Sequence, residues 1–133
     1  MNLQKLEFTI PYDKADFYAR TGIYFAEKKY RREMPYLVNS DEKEWCLFYD
    51  KDKLAGFYAH EPKDGYTLIS GLFIPESHRH TGICEYLLTD ITLSFGRVRM
   101  TTSSPHLIKK LLAFHFVRIS SRGSYQTLER TMQ

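Results

Sequence analysis

A chain of 133 residues with 43% hydrophobic and 15% aromatic content carries enough apolar surface for one core, is too short for two, and leaves no room for a disordered reading. Its net charge of +3, from 19 Lys and Arg against 16 Asp and Glu, falls short of the surplus expected of a dedicated nucleic-acid binder. Cys46 and Cys84 form no C-x-x-C pair, and no apolar h-region or membrane-length apolar run is present. Neither a disulfide scaffold, a zinc ribbon nor a membrane span is therefore indicated, and a reducing cytoplasmic location is expected.

"LEFTI" (residues 6–10) reads as a short strand stopped by Pro11, and Asp13 is placed to cap a helix whose first turn holds Asp16 and which runs to about Lys29. Residues 34–43 are irregular. "EWCLFYD" and "KLAGFYAHE" flank the charged turn "DKDK" and read as an antiparallel hairpin. "YTLISGLFI" (residues 66–74) suits a central strand, with Gly71 marking a bulge or a close approach of backbone.

From Gly82 to about Phe95, Ile83, Tyr86, Leu87, Ile91 and Phe95 recur at spacings of three and four, which predicts a helix with one apolar face, ended by Gly96. "RVRMTT" reads as a strand. "SSPHLIKKLLAF" reads as a helix capped by Ser104 with Pro105 in its first position, and the remainder as a hairpin turning near Arg122 and Gly123. No repeat or linker divides the chain, so one domain over residues 1–133 is expected, an α/β sandwich on a mixed sheet.

The stretch "HRHTGIC" (residues 78–84) admits two chemistries. Through its side chains, His78, His80 and Cys84 would be metal ligands, with His106 or His115 brought in by the fold; the spacing matches no closed zinc site and no second ligand pair follows. Through its backbone, a strand, a tight turn and a helix start present unpaired amides and the positive end of a helix dipole to one point, where a phosphate fits. That chemistry needs Gly82, because a side chain there would hold the ligand's oxygens off the amides.

Arg79-x-x-Gly82-x-Cys84 resembles the R/Q-x-x-G-x-G/A loop of the GNAT family of N-acetyltransferases. "SGLFI" before it resembles the family's fourth strand, "EYLLTDITLSF" after it the third helix, and "VRMTTSSPHLIKKLLAFHF" the fifth strand, fourth helix and closing segment, so the likeness covers nearly the whole chain. It implies a mixed, mostly antiparallel sheet flanked by helices, and acetyl-coenzyme A as cofactor. By the resemblance, the pyrophosphate would lie on the amides of His80, Thr81, Gly82, Ile83 and Cys84, next to Arg79. The backbone of Leu72, Phe73 and Ile74 would pair with the pantetheine arm, and Ser104 would stand where the family often has an Asn that contacts the cofactor.

Three positions depart from the family pattern. Cys84 replaces the second Gly or Ala, Leu111 stands where many members carry a Tyr that protonates the departing thiolate, and His115 replaces the Gly of a terminal "GF". No acid or His lies within "YTLISGLFI" to serve as base. His60, Glu61 and Glu76 are alternatives acting through water, and His106, Ser104 and Tyr125 are alternative acids; none is selected.

"KKYRR" (residues 28–32) reads as the solvated end of the first helix, bordering the acceptor groove in the resemblance, in preference to a nucleic-acid contact. Trp45, Cys46, Phe48, Phe57 and Tyr58 read as core. Two functions follow: acetyl transfer from acetyl-coenzyme A to a primary amine of a protein or small molecule, or a GNAT-like domain that has lost catalysis and binds a protein or nucleic acid. Many relatives of the family it resembles pair as homodimers, and the strands near the C-terminus would suit such pairing; the sequence itself does not give the oligomeric state.

Overall fold

The computed structural model describes residues 2–131. Its elements are strand β1 (Gln4–Phe8), helices α1 (Lys14–Ala26) and α2 (Lys28–Glu33), strands β2 (Glu44–Asp50), β3 (Lys53–Lys63) and β4 (Tyr66–Phe73), helix α3 (Ile83–Ser94), strand β5 (Arg97–Thr102), helix α4 (Pro105–Ala113), and strands β6 (Val117–Arg122) and β7 (Tyr125–Thr131). The strands form one seven-stranded sheet in the order β1-β2-β3-β4-β5-β7-β6. Every neighbouring pair is antiparallel except β4 and β5. This is the α/β, mixed and mostly antiparallel architecture that the sequence implies.

Alternation along the strands sorts the core onto two faces. Trp45, Leu47 and Phe57 point to one side, where Phe17 and Tyr24 of α1 cover them. Cys46, Phe48 and Tyr58 point to the other, under Leu87 and Ile91 of α3 and Ile108 and Leu111 of α4. Helix α1 begins as expected: the Asp13 carboxylate accepts from the amides of Ala15 at 2.9 Å and Asp16 at 3.3 Å, satisfying two of the four orphan donors of the first turn. Helix α4 is capped likewise, with Ser104 Oγ accepting from Leu107 N at 3.2 Å and Pro105 in the first turn.

Two boundaries differ from the sequence expectation. The first strand spans Gln4–Phe8 rather than residues 6–10, because β2 offers ladder partners from Tyr49 to Trp45. The Ile10 amide instead donates to the Glu44 carboxylate at 2.7 Å. The first helix does not run to Lys29: Glu27 is extended and the chain re-enters a helix at Lys28. Six residues along a continuous helix turn by roughly 240°, which would point Tyr24 and Tyr30 apart; the break brings their rings to 4.6 Å and sets Tyr30 against Phe73 at 5.8 Å.

Two irregularities in the sheet position the site. Opposite Phe57 to Ala59, β4 carries an extra residue around Gly71, whose φ is +60. A Cβ there would lie 3.1 Å from the Trp45 ring and from Leu37 Cδ1, so the expected bulge is also a close approach. Beyond it the parallel ladder fails: β4 and β5 pair only over Thr67–Ile69 and Val98–Met100, and the strands splay from Ser70 and Thr101 onward.

Candidate functional site

After β4 the chain makes one 3-10 turn, Glu76–His78, and reaches α3 through His80 at φ +62 and Gly82 at φ +87, both left-handed. Gly82 is the N-cap of α3 and supplies no side chain to it, so the first-turn amides have no capping oxygen from that residue. Lining this turn is a cleft of about 540 Å³, walled by Leu72, Phe73 and Ile74 on one side and by His106 and Lys110 of α4 on the other. Arg79, His80, Gly82 and Cys84 line it too.

Side chains at the wall of the cleft fix the turn. Arg79 Nε donates to the Ile74 carbonyl at 2.8 Å, its guanidinium pairs with Glu33 of α2, and it lies 5.3 Å from the Phe73 ring centre. Arg79 thus ties the end of β4 to α2. Thr81 Oγ1 donates to the His78 carbonyl. Ile83 is buried in the core, so only its backbone faces the turn.

His78 also lines the cleft, and its ring is held by Ser77 Oγ at 2.9 Å and Asp50 Oδ2 at 3.1 Å. His80 and His106 face each other with ring centres 6.3 Å apart, yet no group of three or more His, Cys, Asp or Glu side chains that could hold a metal converges among the described residues. Burial raises the Cys84 thiol above its ordinary pKa, which disfavours the thiolate a metal requires.

Two further charges sit at the turn that the sequence did not single out. Glu85, in the first turn of α3, accepts from its own amide and pairs with Lys110; that hydrogen bond holds its carboxyl below the usual range. The partners are 25 residues apart, and no periodicity announces them.

A second cleft, about 460 Å³, occupies the splay itself. Gly71, Leu72, Ser104 and Tyr125 line it, so Ser104 faces the gap between the strands while its Oγ also caps α4. Ser70 Oγ is shielded from solvent with no hydrogen-bond partner among the described residues. Tyr36 and Tyr125 meet edge to face at 5.4 Å, and a hydrogen bond to Tyr125 raises the Tyr36 phenol above its ordinary pKa.

Of the alternative bases, His60 packs between Glu44 at 3.9 Å and Phe95, and Glu61 is buried near Lys63. Neither lines the two clefts. Leu111 is fully buried in the core. His115 has φ +69 at the end of α4, and Phe116 N donates back to the Leu111 carbonyl at 3.0 Å; this is the left-handed helix-end position that favours Gly. "KKYRR" forms α2 itself, with Tyr30 turned into the core and Lys28, Arg31 and Arg32 exposed.

No family model matches this sequence, and no curated protein matches it. Solved structures do. Escherichia coli ElaA aligns over 97% of this chain and 99% of its own, at 13% identity and a TM-score of 0.74. An acyl-CoA N-acyltransferase from Pseudomonas aeruginosa aligns over 98% and 100%, at 14% and 0.69. A GNAT family acetyltransferase from Elizabethkingia anophelis, solved with acetyl-CoA bound, aligns over 98% and 99%, at 16% and 0.65.

The chain has the GNAT fold. The loop that the sequence compares with that family's phosphate-binding turn therefore stands between a splayed β4 and the start of α3, as the fold requires. At 13 to 16% identity the likeness speaks for the fold; activity has to be argued from the residues.

Proposed function

We propose that this chain is an acetyl-CoA-dependent N-acetyltransferase acting on a primary amine. The observation that carries the reading is the meeting of a left-handed Gly82 at the start of α3 with a strand whose parallel partner has splayed away. First-turn amides and a helix dipole suit a pyrophosphate, and β4 beyond Ile69 offers an edge that an amide-bearing arm can extend like a strand.

The residues fit such a cofactor: His80 to Cys84 through their amides, Arg79 by bracing the loop, Leu72 to Ile74 through backbone, and Ser104 from the opposite wall. Acetyl-CoA would supply the acetyl thioester. The chain's own task is to exclude water, present a backbone N-H near the Gly71 bulge to the carbonyl oxygen, and offer hydroxyls to the departing sulfur. Ser104 and Tyr125 line the splay where such a hydroxyl is needed.

A second reading, a domain that holds the cofactor without turnover and binds a protein or nucleic acid, is favoured by Leu111. Leu111 offers no phenol and lies in the core, lining neither cleft, and β4 carries no carboxylate or imidazole. Titration calorimetry with acetyl-CoA tests both readings. Binding is expected, and Gly82→Trp, which fills the cradle at a φ of +87, should abolish it while circular dichroism stays unchanged. Absence of binding at millimolar acetyl-CoA would end the transferase proposal. Acetyl transfer to any of a broad panel of amines supports it, and binding without transfer supports the second reading.

A further inference from the structure

Helices cover only part of the sheet on the α1 side. Leu68, Thr101 and Thr127 share the face of Arg99 and Glu129 on β4, β5 and β7, and a hollow of about 700 Å³ lies over them. Ser70, Tyr36 and Tyr125 line both this hollow and the splay. A ligand in the hollow therefore reaches the point where, on the transferase reading, the acetyl group would lie. On that reading the hollow would be the acceptor's approach.

Its chemistry is selective. The lining combines apolar surface from Leu68 and the tyrosine rings with the hydroxyls of Thr101 and Thr127, which bond each other at 2.8 Å, and one charge, Arg122 at the tip of the β6–β7 hairpin. Arg122 is exposed and makes no ion pair or side-chain hydrogen bond among the described residues, unlike Arg97 and Arg99, which both pair with Glu129. No carboxylate lines the hollow. A di- or polycation would find nothing to balance its second charge.

We infer that the acceptor is a small primary amine that also carries a carboxylate and an apolar body, as an apolar α-amino acid does. Arg122 binds the carboxylate, the Tyr36 and Tyr125 rings with Leu68 cover the body, and the amine points past Ser70 into the splay. The inference deepens the transferase reading and rests on it.

The test is calorimetric binding of L-phenylalanine, L-phenylalaninamide and spermidine to the protein, with and without saturating CoA. A charge-assisted hydrogen bond gives the free carboxylate an advantage of roughly tenfold over the amide. Arg122→Gln, an exposed substitution, should erase that advantage and leave acetyl-CoA affinity unchanged. Equal affinities, tighter binding of the amide or of spermidine, an advantage that survives Arg122→Gln, or no binding of phenylalanine at all would overturn the inference. Failure of acetyl-CoA itself to bind would instead remove the transferase reading, and the carboxylate preference would still be read on the CoA-free protein.

Discussion

Glu85 is the residue at which the proposed cofactor turn departs most from a simple anion site. A carboxylate in the first turn of a helix is favoured by the same dipole and amides that would bind a phosphate, so Glu85 competes for the N-terminus of α3. Lys110 moderates that competition by pairing with it, which lowers the Glu85 pKa. Glu85→Gln removes the competing charge and frees Lys110 for the ligand. It should tighten acetyl-CoA binding by roughly fivefold, about 1 kcal/mol. Lys110→Ala should weaken it. Neither change should move the melting temperature much, since half-exposed ion pairs add little to stability. Weaker binding in Glu85→Gln would show that the carboxylate is part of the site and does not compete with it.

At the level of elements, the devices legible in the sequence are those written in local chemistry. Asp13 and Ser104 announce helix starts because their side chains cap the orphan amides. Gly71 and Gly82 announce departures from regular backbone because both adopt positive φ. What stayed hidden depends on partners distant in the chain. The break at Glu27 has no Gly or Pro beside it and follows from Tyr30 packing on Tyr24 and Phe73. The Arg79–Glu33 and Lys110–Glu85 pairs join residues 46 and 25 positions apart. The β4 bulge gives the prediction for this scale: in Gly71→Ala the new Cβ meets the Trp45 ring at 3.1 Å on a left-handed backbone. The loss should be about 2 kcal/mol or more in urea denaturation. Gly96→Ala, where a Cβ meets nothing within 4 Å, is the control and should be neutral or slightly stabilising. Similar effects at both positions would remove the case for a strained, closely packed bulge beside the site.

For the whole molecule the question is whether two cores on opposite faces of one sheet behave as one cooperative unit. They share strands: Trp45 and Leu47 of β2 pack under α1, while Cys46 and Phe48 of the same strand pack under α3 and α4. Neither face can lose its packing without disturbing the ladder that presents the other. Trp45 makes this measurable, because it is the one tryptophan of the chain, 1% exposed, and its indole N-H donates to Asn39 Oδ1 at 2.9 Å. Its fluorescence reports the α1 face, whereas far-UV circular dichroism sums all elements. Both should give the same urea midpoint. Both should also rise together with acetyl-CoA, since a ligand at 100 times its Kd adds about 2.7 kcal/mol to a two-state fold. The cofactor would bind at the β4 splay and the start of α3, while Trp45 reports through Gly71 and the α1 core. A fluorescence transition that precedes the circular dichroism, or that acetyl-CoA leaves in place while the other moves, would mean that the α1 face unfolds by itself. The proposed acceptor hollow, beside that face, would then sit on a less stable half of the molecule than the cofactor cleft.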